Sequence, residues 1–179
     1  MVGSLRTRLA YAAGDFELIL TNAAKLNANA ARFYRIRVLA ESGRVKEAAQ
    51  LLETAKDGFP DPFDALAFSL ACARAGETAL AETWRTQSLG KLTEGRTDAA
   101  IAAEMLQRAQ PVSLAEALDL SLTARHKAIL LIALAERSPT DAAALRALAR
   151  QLNVTHEFPY HLVNQLAGTA APTVAKPGE

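Results

Sequence analysis

The chain has 179 residues, 50% of them apolar and 22% charged, which is enough for one buried core and ordinary for a folded domain. Aromatics make up only 6% and alanine is abundant, a balance that favours helix and excludes a fold built mainly of strands. A net charge of +1 gives no basis for binding nucleic acid, and a single cysteine, Cys72, excludes an internal disulfide.

The segmentation is helical from the start. Residues 5–13 form the first expected helix, closed by Gly14, and 15–26 the second. Helices follow at 29–42 and 45–57, each with a glycine, Gly43 or Gly58, where a left-handed C-cap belongs. Asp61-Pro62 places a capping side chain before a first-turn proline and opens a helix over 62–75, closed by Gly76. Helices at 77–92 and 98–110 come next. Ser113 with Glu116 resembles a capping box and opens the segment 114–136. Here Leu114, Leu118 and Leu122 form a stripe, and Ala128 to Ala135 is apolar on every face, as in a helix surrounded by others. This segment is either one long central helix or two elements divided near Arg125-His126-Lys127. Ser138-Pro139 with Asp141 is a capping-box-like start for 139–152, where Leu145, Leu148 and Leu152 face inward, and Pro159 opens a last short helix over 159–167. Residues 168–179 have linker composition and are expected to form a mobile tail.

Two blocks repeat. Leu39 to Ala48 aligns with Cys72 to Ala81, so that Gly43 falls on Gly76 and Ala48 on Ala81, each pair 33 residues apart. A period of this length made of helix–turn–helix units indicates stacked hairpins. Gly43, Ala48, Leu52, Ala55 and Pro60 follow the order of small, small, large, small and proline positions of the tetratricopeptide repeat, and the chain resembles that family most clearly over residues 29–92. Arg85 and Ser88 depart from the pattern where Leu52 and Ala55 stand in the first unit. Tyr11-Ala12-Ala13-Gly14-Asp15-Phe16 looks like the turn of an earlier, shortened hairpin.

The resemblance implies an all-α, right-handed superhelix of antiparallel hairpins over 1–96, with a divergent helical cap over 97–167. It also implies a binding groove lined by the first helix of each hairpin, which would place Phe33, Arg37 and Glu41 from one unit beside Leu66, Leu70 and Arg74 from the next. Arginines among apolar neighbours suit a peptide or a carboxylate terminus. Charge reversal at Arg37 and Arg74 is then expected to weaken binding without lowering thermal stability. Trp84, aligned with Leu51, reads either as a packing residue between repeats or as an interface anchor.

Chemistry-bearing motifs are weak. His156-Glu157-Phe158-Pro159-Tyr160-His161 holds two histidines five residues apart with a proline between them, whereas zinc-protease helices need a spacing of four. Gly90-Lys91 lacks the glycine and the hydroxyl residue of a phosphate loop. Cys72, between Ala71 and Ala73, reads as a small buried hydrophobe. No catalytic residue, metal or cofactor is therefore expected.

The expected function is a non-catalytic scaffold or adaptor for a protein or peptide partner, with neither nucleic acid nor membrane as a target. A structural or self-associating segment is the alternative, and an enzyme on a helical scaffold ranks third. Residues 1–46 carry eight Lys/Arg against three Asp/Glu and residues 47–96 five against eight, so the ends differ in charge as a subunit interface could use. The start Met1-Val2-Gly3-Ser4-Leu5-Arg6 has no signal-length apolar stretch, which makes the cytoplasm the expected location.

Overall fold

The computed structural model describes residues 5–23, 28–54, 58–138, 140–153 and 158–168, with side chains from Leu9 in the first stretch and from Arg32 in the second. These residues hold eleven helices: α1 (Leu5–Ala13), α2 (Phe16–Ala23), α3 (Ala28–Glu41), α4 (Val45–Glu53), α5 (Pro62–Arg74), α6 (Thr78–Thr93), α7 (Thr97–Gln107), α8 (Leu114–Asp119), α9 (Ala124–Ala135), α10 (Ala142–Leu152) and α11 (Tyr160–Leu166). No strand occurs among the described residues. The ends of the helices expected over 15–26 and 45–57, and the expected tail from residue 169 on, lie outside them.

The hairpin turns repeat in atomic detail. At Gly43 the amide donates to the Ala40 carbonyl (3.2 Å) and Arg44 N–H to the Leu39 carbonyl (2.8 Å). At Gly76 the same two bonds run to Ala73 (3.0 Å) and from Glu77 to Cys72 (2.9 Å). Gly14 repeats the pair with Tyr11 (3.0 Å) and, through Asp15, with Ala10 (2.9 Å). This double bond is the Schellman closure, and it requires a left-handed residue. The φ angles of 74° at Gly14, 82° at Gly43 and 80° at Gly76 supply it. Each turn folds a helix back on its predecessor, so α1 packs with α2, α3 with α4 and α5 with α6.

Burial follows the apolar spacing. In α4, Val45, Ala48, Ala49 and Leu52 are buried, an i, i+3, i+4, i+7 stripe on an otherwise polar helix. Helix α9 shows the other extreme. All eight residues from Ala128 to Ala135 are buried, and α5, α7, α8, α10 and α11 all pack against it. It is the central helix that its all-round apolarity predicts.

Of the two alternatives for the segment 114–136, the two-element one holds, with the division at Leu120–Thr123 just ahead of Arg125, because the Thr123 side chain accepts from the His126 amide and so starts α9. One expectation is corrected: α10 begins at Ala142, later than 139. The Ser138 hydroxyl bonds the Asp141 carboxylate (3.3 Å), and Asp141, the N-cap residue, makes no side-chain cap bond. The other two caps form as expected. Asp61 Oδ1 accepts from the Phe63 amide at 2.9 Å, and Ser113 with Glu116 closes a reciprocal capping box.

The main core runs through α3 to α11 as one cluster, from Ile36 to Ala167. The first hairpin has its own small cluster of Ala10, Tyr11, Ile19 and Val38. Trp84 lies edge-on to Phe59 and Phe68, at 5.6 Å from each, and packs α6 on its own partner helix α5 and on the segment that leads into it. Cys72 is fully buried, and burial pushes its thiol up to about 12, as for an inert hydrophobe. No helix among the described residues is long and apolar enough to cross a membrane.

Candidate functional site

The six residues that the resemblance assigns to a groove fall on two helices that pack together, α3 and α5. Phe33 is half-buried against Phe59, with ring centroids 6.2 Å apart. Leu66 is buried and Leu70 half-buried, while Arg74 is exposed and donates to the Gln165 side chain on α11. Glu41 is fully enclosed, and Arg37 is engaged by a buried carboxylate. At its C-terminal end the α3 face is covered, because the first turn of α11 meets Glu41. Phe33, Arg37 and Leu70 are half-buried and Arg74 is exposed, so of the six only Glu41 and Leu66 are withdrawn from the surface.

A charged ladder occupies the covered side. Asp64 sits in the first turn of α5, where the helix dipole favours a carboxylate, and has no exposed surface. Arg37 from α3 and Arg125 from α9 hold its two oxygens. The same Arg125 guanidinium donates to Asp61 Oδ2 (2.9 Å) and to the Phe158 carbonyl (2.6 Å), tying α9 to α5 and to the approach of α11. His126 stacks on Phe63 at 4.3 Å and places Nε2 3.0 Å from Asp61 Oδ2. Burial acts against ionisation of Asp61, yet its bonds from His126 and Arg125 hold the carboxyl well below the usual carboxylate range. Arg37 lies over the Phe158 ring, 5.9 Å from its centroid.

A second polar junction joins α1, α3 and α11. Tyr11 of α1 donates its hydroxyl to Glu41 Oε2. Glu41 Oε1 accepts from the amides of His161 (2.9 Å) and Leu162 (3.2 Å). Pro159, the N-cap of α11, makes no side-chain cap bond, so Glu41 supplies the missing acceptor from another helix. The His161 ring bonds the Tyr11 carbonyl through Nε2. A carbonyl only accepts, so Nε2 carries the proton. Burial raises the Glu41 carboxyl to about 8, against the lowering effect of its three donors. Burial also lowers the His161 imidazole, which is held neutral.

Neither junction resembles a reaction centre. The carboxylates and rings are satisfied by one another, across 27 to 65 residues in the first and 30 to 150 in the second. No group of three or more potential metal ligands occurs among the described residues. His156, the other half of the histidine pair, lies outside those residues.

A cleft of about 310 Å³ opens between α5, α6 and the end of α9. Its apolar lining includes Leu66, Leu70, Ala73, Ala81 and Ala133, and α7 adds Leu106. Among the described residues Ser69 is its one buried polar side chain. Glu82 and Arg85 lie on the α6 lip, Glu136 and Arg137 on the α9 lip. Two of these arginines brace the end of α7, Arg85 at the Leu106 carbonyl (3.3 Å) and Arg137 at the Arg108 carbonyl (2.9 Å). Sequence spacing found Leu66 and Leu70 but not the α7 and α9 walls, which belong to no repeat pattern. Comparison with family models, with curated proteins and with solved structures finds no match for this chain.

Proposed function

We propose that this protein is a non-catalytic interaction module, a tetratricopeptide-like stack of hairpins that binds a helical segment of a protein partner in the α5–α6–α9 cleft. The observation that carries this reading is the cleft itself. Helix α7 bridges α6 and α9 and ends at the cleft, so the opening prolongs a trough that already holds one helix. Its volume suits two neighbouring apolar side chains, such as residues four apart on a helix. Each lip offers one carboxylate and one guanidinium, which match a helix whose apolar stripe is flanked by both signs of charge. The three identical turns at Gly14, Gly43 and Gly76 support the superhelical hairpin arrangement.

The test is a selection from a displayed library of amphipathic helical peptides, with calorimetry on the peptides recovered. Ala73→Trp, at an exposed α5 position on the cleft wall, is expected to weaken binding at least tenfold without changing the melting temperature. Leu118→Asp, on exposed α8, is expected to leave binding unchanged. Peptides that bind the Ala73→Trp protein as well as the parent reject the cleft assignment. A concentration-dependent dimer that Ala73→Trp abolishes supports the self-associating alternative instead.

A further inference from the structure

We infer that the partner helix enters the cleft with a tyrosine, whose phenol oxygen accepts the proton of the Ser69 hydroxyl on the cleft wall. This rests on the cleft being the binding site, and it names the side chain that the site selects. Its starting point is a serine placed where the fold expects hydrocarbon. Leu66, Ser69, Leu70 and Ala73 form an i, i+3, i+4, i+7 row on α5, and all four line the cleft. The 33-residue alignment sets Ser69 against Ile36, which is completely buried in the main core. The matching position on α5 thus carries a hydroxyl, although Ser69 keeps only 5% exposure.

That hydroxyl has no hydrogen-bond partner among the described residues. The other two buried serines do have one. Ser88 donates to the Pro62 carbonyl at 2.8 Å, and Ser138 bonds the Asp141 carboxylate at 3.3 Å. Nor does Ser69 turn back onto its own helix, as Thr83 and Thr93 do at carbonyls one turn earlier on α6. Its oxygen instead faces the cleft. A ligand that closes the cleft must therefore offer an acceptor there or leave a buried donor unmet.

The chemistry of the wall narrows the choice. Leu66, Leu70, Ala81 and Ala133 call for an apolar body. Leucine and phenylalanine bring no acceptor, and the indole of tryptophan only donates. A carboxamide brings more donors and acceptors than one hydroxyl can satisfy. A carboxylate would have to enter between Glu82 and Glu136 on the two lips. A phenol joins an apolar ring to one oxygen that accepts from Ser69, and its own proton can turn toward the cleft mouth. A volume of about 310 Å³ has room for that ring beside a second apolar side chain one helical turn away.

Parallel selection of the displayed helical library on the parent protein and on Ser69→Ala tests this. Alanine removes the hydroxyl without adding an atom and favours helix, so the variant keeps the fold. The parent is expected to enrich tyrosine over phenylalanine at one anchor position, and Ser69→Ala to lose that preference. In a recovered peptide, Tyr→Phe is expected to weaken binding to the parent about fivefold and to Ser69→Ala less than about twofold. Equal losses on the two proteins, or cleft-binding peptides with no tyrosine enrichment, overturn the Ser69 pairing and leave the cleft reading in place. A library that yields no binder, or peptides that bind the Ala73→Trp protein as well as the parent, overturn both.

Discussion

At the residue scale, the decisive side chains are polar ones placed where the apolar pattern expects hydrocarbon. Asp64 lies between Phe63 and Ala65 on the buried face of α5, and its charge persists only because Arg37 and Arg125 meet it. Removing Asp64 takes a carboxylate from both guanidiniums, but Arg125 keeps Asp61 and the Phe158 carbonyl and the Arg37 side chain is 32% exposed, so the cost falls below the about 3–5 kcal/mol of a fully buried pair. Asp64→Ala is therefore expected to lose about 1–3 kcal/mol in denaturant titrations. A loss below about 0.5 kcal/mol would show that the ladder contributes nothing to stability. The same contact revises the expectation for Arg37. Its reversal to glutamate would set two carboxylates together and lower the melting temperature, whereas reversal of exposed Arg74 acts at the cleft. The resemblance to tetratricopeptide repeats placed Arg37 and Glu41 in a groove. Nothing in the sequence revealed their partners, Asp64, Tyr11 and His161, which come from 27 to 120 residues away. Long-range pairing of that kind has no periodic signal.

Elements were legible wherever a local rule sets the backbone. A glycine that must adopt positive φ marks its own turn, and a serine three residues before a glutamate marks its own cap. Whether 114–136 is one helix or two was left open because its apolar stripe continues from Leu114 through Leu122, and the division that occurs rests on Thr123, which caps α9 inside that run. Periodicity alone does not decide such a break. The repeated turn permits a quantitative check of the hairpin alignment. A Cβ at Gly43 or Gly76 meets no atom within 4 Å, so alanine there suffers only the left-handed backbone cost of about 1–2 kcal/mol. Gly43→Ala and Gly76→Ala are expected to lose the same amount, within about 0.5 kcal/mol of each other, by urea denaturation. Unequal losses would mean that the two turns are not structural equivalents despite their matching hydrogen bonds.

For the molecule as a whole, unequal core size sets what can move without disturbing what binds. The cleft is walled by α5, α6 and α9, elements of the cluster that extends from Ile36 to Ala167, while the first hairpin contributes three buried residues, Ala10, Tyr11 and Ile19, to a smaller cluster with Val38 of α3. Ile19 and Ile132 are both completely buried, and truncating either to alanine removes comparable hydrocarbon, with a cost of about 2–5 kcal/mol. The consequences should nevertheless differ. Ile132→Ala strikes the central helix, on which five others pack, and is expected to lower the cooperative unfolding transition of the whole domain. Ile19→Ala is expected to raise hydrogen exchange in α1–α2 more than in α5 and α9, since Ile19 belongs to the smaller cluster with Ala10, Tyr11 and Val38. A helical peptide bound in the cleft should then keep its affinity for the Ile19→Ala protein. If Ile19→Ala instead lowers protection uniformly, the hairpin and the body unfold as one unit, joined through the packing of α2 on α3.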